Sequence, residues 1–431
     1  MKPVLQVALD LMHLKRALDI AREAVEGGAD WVEAGTPLLK SEGSEALRAL
    51  KKAFPDRTIV ADMKTMDVGG FEVEIAAKAG ADVISVLGLA DDATISEAVL
   101  SARQYGARVM VDLIGVPDKA GRAIRAEQLG ASYVCLHVGI DEQMRGESSP
   151  VMLLKRVVKA VSIPVAVAGG ISSESAPELL EAGASIVIVG GAIIKAEDVR
   201  GAASTVKRSM EQCTSIACEV SRKYGQEELF EAFSKASTCN IADAQHKGGV
   251  MKGILPRINH GVKMVGRAIT VQTTKGDWAK PVEAIDRASE GDVIVIDVGG
   301  SDIAVFGELA AWSCRMKGVK GVVIDGAVRD LDALYAMDFP AFSRHIAPNA
   351  GEPKGFGGIG HEIVCGEQVV RTGDWVIGDD SGVVVVPQER AVEVANRALD
   401  VAERENRIRE EIKQGGTLSK VLELEKWEQI R

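Results

Sequence analysis

The sequence predicts an α/β protein of two domains, an N-terminal (β/α)8 TIM barrel followed by a mixed α/β domain. Three observations carry this. The chain has 431 residues, more than a single hydrophobic core usually serves. Eight short β-branched runs recur at even spacing between residues 1 and 195, separated by segments of helical period. Beyond residue 229 the spacing becomes irregular and rich in glycine.

The eight runs lie at 4–9, 31–34, 58–61, 83–87, 109–113, 133–138, 164–168 and 186–189. Between them, segments such as 14–26, 73–79, 93–105 and 173–181 place apolar residues at helical spacing, and several close on glycine as helix C-termini do. Eight βα units within 1–210 fit a closed barrel. An open doubly wound sheet also accepts alternating units, but eight evenly spaced ones close more naturally. Residues 211–228 read as a helical linker, with a polar helix around 221–228. The second domain occupies 229–431, with strands expected at 262–273, 293–297, 319–324, 375–377 and 383–386. Its tail, 387–431, is charged and helical in period, a packing or oligomer arm.

Composition narrows the function. With 46% hydrophobic and 26% charged residues the chain is an ordinary globular one. A net charge of −11 without a basic block argues against a nucleic-acid partner. The six cysteines form no Cys-x-x-Cys pair and no zinc spacing, so they read as reduced thiols of a cytoplasmic protein. Asp10 interrupts any secretory apolar core, and no apolar run approaches the ~20 residues that span a bilayer. His246, His260, His345 and His361 lack ligand spacing and read as surface or packing residues.

Barrel enzymes place their sites where strands end and βα loops begin. Here those ends are polar: Asp10, Glu33, Asp62 with Lys64, Asp112 and His137, then the glycine pairs Gly169-Gly170 and Gly190-Gly191. Each alone has a bland explanation, such as a cap, a turn or a satisfied histidine. Together at one rim they form a site. Strand alternation puts Asp62 and Lys64 on one face, with Asp67 close behind. An ammonium between carboxylates suits an enzyme that stabilises an oxyanion, and Asp62 also suits a hard metal. The glycine pairs suit a phosphate, since small residues let backbone N–H groups approach the anion.

The segments Gln6-Val-Ala-Leu-Asp10, Glu33-Ala-Gly-Thr-Pro37, Ala61-Asp-Met-Lys-Thr-Met-Asp67, Leu136-His-Val-Gly-Ile-Asp141, Val167-Ala-Gly-Gly170 and Ile188-Val-Gly-Gly-Ala192 resemble the 3-hexulose-6-phosphate synthases of the orotidine 5′-phosphate decarboxylase superfamily. The resemblance covers residues 1–210. It implies a reversible aldol reaction of D-ribulose 5-phosphate with formaldehyde, giving D-arabino-hex-3-ulose 6-phosphate through an enediolate. By position it implies Glu33 and Asp62 as ligands of Mg²⁺ or another divalent cation, Lys64 as oxyanion stabiliser, His137 as general base and Asp10 as a binder of sugar hydroxyls. Asp112 counts among the substrate-binding residues. Asp67 reaches a neighbouring subunit's site in this superfamily, so a barrel dimer is implied.

A Schiff base on Lys64 is disfavoured, because flanking carboxylates keep the amine charged. The alternative within the superfamily is 3-keto-L-gulonate 6-phosphate decarboxylase, which shares the metal and enediolate apparatus; against it stand Ile140, where that family carries an arginine, and Gly191-Ala192, where it has Gly-Arg.

Thr238-Cys-Asn-Ile-Ala-Asp243, Gly307-Glu-Leu-Ala-Ala311, Gly321-Val-Val-Ile-Asp-Gly-Ala-Val-Arg-Asp330 and Gly373-Asp-Trp-Val-Ile-Gly-Asp-Asp-Ser-Gly-Val383 resemble the family of regulator of ribonuclease activity A and the 4-hydroxy-4-methyl-2-oxoglutarate aldolases. That resemblance implies a ribonuclease-regulator-like fold forming trimers or hexamers, with a second divalent-metal site. Asp330 would ligate the ion directly and Glu308 through water. Arg329 would hold a 2-oxo acid, and the N–H groups near Leu309 and Ala310 its carboxylate. The alternatives are a protein-binding regulator, a scaffold for RNA-processing proteins, and an oligomerisation module in which Arg329-Asp330 is a plain salt bridge.

Overall fold

The computed structural model describes every residue except 1, 140–142, 145–149, 219, 414, 423 and 425–431. The chain forms two compact units, one of residues 1–143, 147–223 and 403–431 and the other of 144–146 and 224–402.

In the first unit, β1 (Val4–Leu9), β2 (Trp31–Ala34), β3 (Thr58–Thr65), β4 (Val83–Leu87), β5 (Arg108–Asp112), β6 (Tyr133–His137), β7 (Val165–Ala168) and β8 (Ile186–Val189) close into a barrel in sequence order, every neighbour parallel. Burial on both faces is why these strands read as continuous apolar runs. Outward side chains such as Leu5, Val7, Ile59 and Val187 pack beneath the helices. Inward ones alternate with them. Val4, Trp31, Val60, Val83, Met110, Tyr133, Ala166 and Ile186 fill the interior, with Trp31 and Tyr133 edge to face at 5.6 Å. Two residues further along the same inward faces stand Gln6, Glu33, Asp62, Ser85 and Asp112, all buried. The filling thus turns polar toward the C-terminal ends of the strands.

Two sequence expectations are corrected. Segment 211–228 is not a helical linker. The helix Val199–Gln212 ends with Cys213 in a left-handed conformation, and helix resumes only with a 3₁₀ turn at Gln226–Glu228. Between them the backbone is hooked to a barrel loop: Ile216 N–H donates to the Ser173 carbonyl, and Ser173 Oγ donates to the Ile216 carbonyl. These bonds override the local helical preference of a polar stretch.

The second correction concerns the tail. The helix Ala391–Lys413 forms as expected, but from residue 403 it belongs to the barrel unit rather than to the second domain. Its Arg407, 5% exposed, donates to the carbonyls of Ala196 and Glu197 and pairs with Glu23 and Glu411. Glu411 in turn takes Arg16 at 2.9 Å.

The second unit is built on a nine-stranded mixed sheet. Met264–Gln272, Asp292–Asp297, Gly321–Val328 and Ala341–Ile346 run parallel at its centre, while Trp375–Asp379, Gly382–Val386 and Leu255–Arg257 add antiparallel edges. Helices Ala279–Arg287, Glu308–Lys317 and Leu331–Ala336 contribute Ala284, Ile285, Ala311, Cys314 and Leu334 to a core with Ile294, Ile296, Val322 and Ile324. Among the described residues no helix is long and apolar enough to cross a membrane.

Candidate active site

Lys64 is the hub of the barrel rim. Its ammonium donates to both oxygens of Asp62 at 2.9 Å and to Asp112 Oδ2 at 2.8 Å. Asp112 Oδ2 also meets His137 Nδ1 at 2.9 Å, and Asp112 Oδ1 accepts from Ile114 N–H. Asp62 accepts from Thr36 Oγ1 at 2.8 Å, and Glu33 accepts from Gln6 Nε2 at 2.5 Å. Simple alternation does not produce this arrangement. Lys64 has φ +53°, and the ladder slips between Ala61 and Thr65, so a bulge in β3 swings the lysine back over Asp62. A left-handed lysine is strained, and such strain persists where surrounding contacts hold it, here two buried carboxylates.

The electrostatics divide the carboxylates. Burial raises the Asp112 carboxyl, but the hydrogen bond and charge of His137, with those of Lys64, outweigh it and bring it to about 2. Burial also works against the Lys64 ammonium, and Asp62 and Asp112 more than reverse this, so Lys64 stays charged. Glu33 goes the other way. Burial and the charges of Asp62 and Asp10 push it well above the usual carboxylate range. Asp10 is reached by solvent at the mouth yet ringed by protein, and burial together with Asp62 raises it too. Gly35 is required beside it, since a Cβ there would stand 2.8 Å from the Leu9 carbonyl oxygen as well as 2.3 Å from Asp10 Oδ1.

Asp10, Glu33 and Asp62 therefore face one another with more negative charge than Lys64 offsets. A divalent cation fits that imbalance, and Glu33 and Asp62 are the residues that would hold it. Among the described residues no group of three or more His, Cys, Asp or Glu is arranged to ligate a metal.

The structure brings Asp10, Glu33, Asp62, Lys64, Asp112 and His137 to one rim. It leaves Asp67 apart: that side chain is exposed and accepts from the N–H of Val68. Gly169 and Gly170 follow β7 with φ +110° and +65°, and Gly190 and Gly191 follow β8. Thr36 and Gln6 escaped the sequence reading. Gln6 carried a usable signal, being a polar residue on the inward face of β1 between Val4 and Ala8. Ile140 lies outside the described residues.

In the second unit Arg329 Nε pairs with Asp330 Oδ1 at 3.0 Å, and Glu308 N–H donates to Asp330 Oδ2 at 3.1 Å. Asp330 has φ +58° and caps Leu331–Ala336, while Glu308, Leu309 and Ala310 form the first turn of Glu308–Lys317. Glu308 and Leu309 are exposed. These predicted site residues therefore meet where two helices begin.

A closed eight-stranded barrel with a charged lysine set among buried carboxylates at its rim is the arrangement of an enzyme, and its relatives make that enzyme a carbon–carbon lyase. Residues 3–206 match the orotidine 5′-phosphate decarboxylase / HUMPS family, and residues 238–385 match the RraA-like family, Aldolase/RraA. The chain belongs to the first family through its barrel and carries an RraA-like domain behind it. The barrel is 45% identical over 206 residues to a 3-hexulose-6-phosphate synthase of Mycobacterium gastri, covering 48% of this chain and 99% of that protein. It is 41% identical over 210 residues to the enzyme of that name from Bacillus subtilis, covering 48% and 99%. A crystal structure of 3-hexulose-6-phosphate synthase aligns with a TM-score of 0.47 at 45% identity, over 49% of this chain and 100% of that one.

Proposed function

We propose that the barrel is a cytoplasmic 3-hexulose-6-phosphate synthase, joining formaldehyde to C1 of D-ribulose 5-phosphate, and reversibly cleaving the product. The observation that carries this reading is the Lys64–Asp62–Asp112–His137 cluster in a barrel closely related to enzymes of that name. His137 gives its Nδ1 edge to Asp112, which orients the ring and leaves Nε2 as the base that takes the C1 proton. Lys64, with three N–H donors and a fixed charge, faces the oxygen on which negative charge grows. Asp10 takes sugar hydroxyls, and the two glycine pairs take the phosphate. C1 then bonds to the formaldehyde carbon, and the proton held by His137 passes to the new alkoxide. A divalent ion held by Glu33 and Asp62, when bound, supplies Lewis-acid stabilisation of the sugar oxygens.

Gly191-Ala192, where a Gly-Arg pair is expected of the decarboxylase reading, favours the synthase. Met66, Val68 and Phe71, all more than half exposed, flank Asp67 and are the surface a second barrel would cover in a homodimer. Incubating the full chain with ribulose 5-phosphate, formaldehyde and Mg²⁺ is expected to consume formaldehyde stoichiometrically, and chelation is expected to stop it. No consumption under any divalent ion would remove the proposal.

For the second domain the reading is a metal-dependent lyase of 2-oxo acids, supported by the convergence of Arg329, Asp330 and the Glu308 turn. Asp330 and Glu308 would hold a divalent ion that supplies Lewis-acid chemistry when bound, Arg329 would hold the oxo group, and the Leu309 and Ala310 N–H groups the carboxylate. Pyruvate release from oxaloacetate is expected to fall at least about 100-fold in Asp330→Ala. Release that survives this substitution would favour the ribonuclease-regulator reading.

A further inference from the structure

Ser221 lies beyond the span 3–206 that the family shares, yet it rests on the last glycine pair of the barrel. A Cβ on Gly191 would stand 2.4 Å from Ser221 Oγ and 3.5 Å from Lys195 Nζ. A hydroxyl and an ammonium therefore converge on one backbone turn, the turn assigned above to the substrate phosphate. Ser221 is held there. Its φ is +61°, and its N–H donates to Glu403 Oε1 at 2.5 Å. Glu403 Oε2 stands 3.9 Å from Lys195 Nζ. One turn further along the same helix, Arg407 grips the carbonyls of Ala196 and Glu197, where the chain leaves Lys195. The loop after β8 is thus bracketed by two segments that come after the barrel in sequence.

We propose that Ser221 is a phosphate ligand which this chain adds to the barrel, and that Glu403 positions it, so that the C-terminal helix sets the affinity for the phosphate end of the substrate. The inference rests on reading the glycine pairs as the phosphate cradle. The hydroxyl donates to a phosphate oxygen beside the glycine N–H groups, and Lys195 supplies charge. Glu403 acts through the Ser221 backbone and touches no substrate.

The test uses the full chain. KM for ribulose 5-phosphate and the inhibition constant of inorganic phosphate are compared among wild type, Ser221→Ala, Ser221→Gly, Glu403→Ala and the Ser221→Ala/Glu403→Ala double variant. Ser221→Gly tolerates the left-handed backbone, so it removes the hydroxyl without new strain. Both constants are expected to rise roughly fivefold in either Ser221 variant, as for loss of one hydrogen bond, with kcat changing less than KM. Glu403→Ala is expected to raise both constants, and the double variant to be no worse than the more affected single one. Unchanged or lowered constants in both Ser221 variants would overturn the proposal, a lowered value meaning that Ser221 blocks the cradle. Should wild type not turn over ribulose 5-phosphate, the synthase reading fails by itself. Calorimetric binding of inorganic phosphate then decides the role of Ser221: weaker binding in the variants supports it, and equal binding rejects it.

Discussion

Replacing Lys64 with alanine is expected to lower kcat/KM of the barrel reaction by about 10³-fold or more, the scale on which removing a single preorganised oxyanion donor is felt. Three of its hydrogen bonds end on Asp62 and Asp112, so the substitution removes the group facing the oxyanion and also leaves both carboxylates without their cation. Lys64→Arg is not expected to rescue, since a planar fork on a longer stem does not reproduce a point charge held by two carboxylates at a left-handed residue. The informative measurement is exchange of the C1 proton of ribulose 5-phosphate with deuterated solvent, without formaldehyde. That half-reaction isolates enediolate formation. Exchange at the wild-type rate in Lys64→Ala would show that this lysine does not stabilise the oxyanion.

The barrel and most of its rim were legible because both are written in local signals. Each strand is a β-branched run of its own, and each polar rim residue ends one such run. Proximity of Asp62 and Lys64 was also legible, but alternation only puts them on one face, whereas a bulge and a positive φ make the contact. A bulge leaves no mark in residue type when the left-handed position is a lysine rather than a glycine. Thr36 escaped because its partner, Asp62, is 26 residues away, on the next strand. The destination of the tail escaped for the same reason on a larger scale, since Arg407 and Glu23 lie 384 positions apart. Its helical period was visible, but what that helix packs against was not. The stretch after residue 212 misled because its composition suits a helix, while bonds to Ser173 and Glu403 hold it in another form.

Glu33→Gln is expected to abolish the barrel reaction while making the metal-free protein more stable, and the two effects share one cause. Burial and the charges of Asp62 and Asp10 hold the folded-state carboxyl of Glu33 well above its ordinary value of 4.5. With rising pH the unfolded chain gives up this proton first. Wild-type stability therefore declines from about pH 4.5 upward until the folded group also ionises. A neutral amide has no such decline. It can still accept from Gln6 Nε2, and its own NH₂ can donate to Gln6 Oε1, which is buried without a partner in wild type. The variant should melt higher than wild type at neutral and mildly alkaline pH, with the gain vanishing as the pH falls to about 4.5. Added Mg²⁺ should raise the melting temperature of wild type, because it offsets the same repulsion, and should have little effect on Glu33→Gln. Equal responses to Mg²⁺, or a variant less stable than wild type at alkaline pH, would mean that Glu33 is not the strained carboxylate on which cation binding at this rim depends.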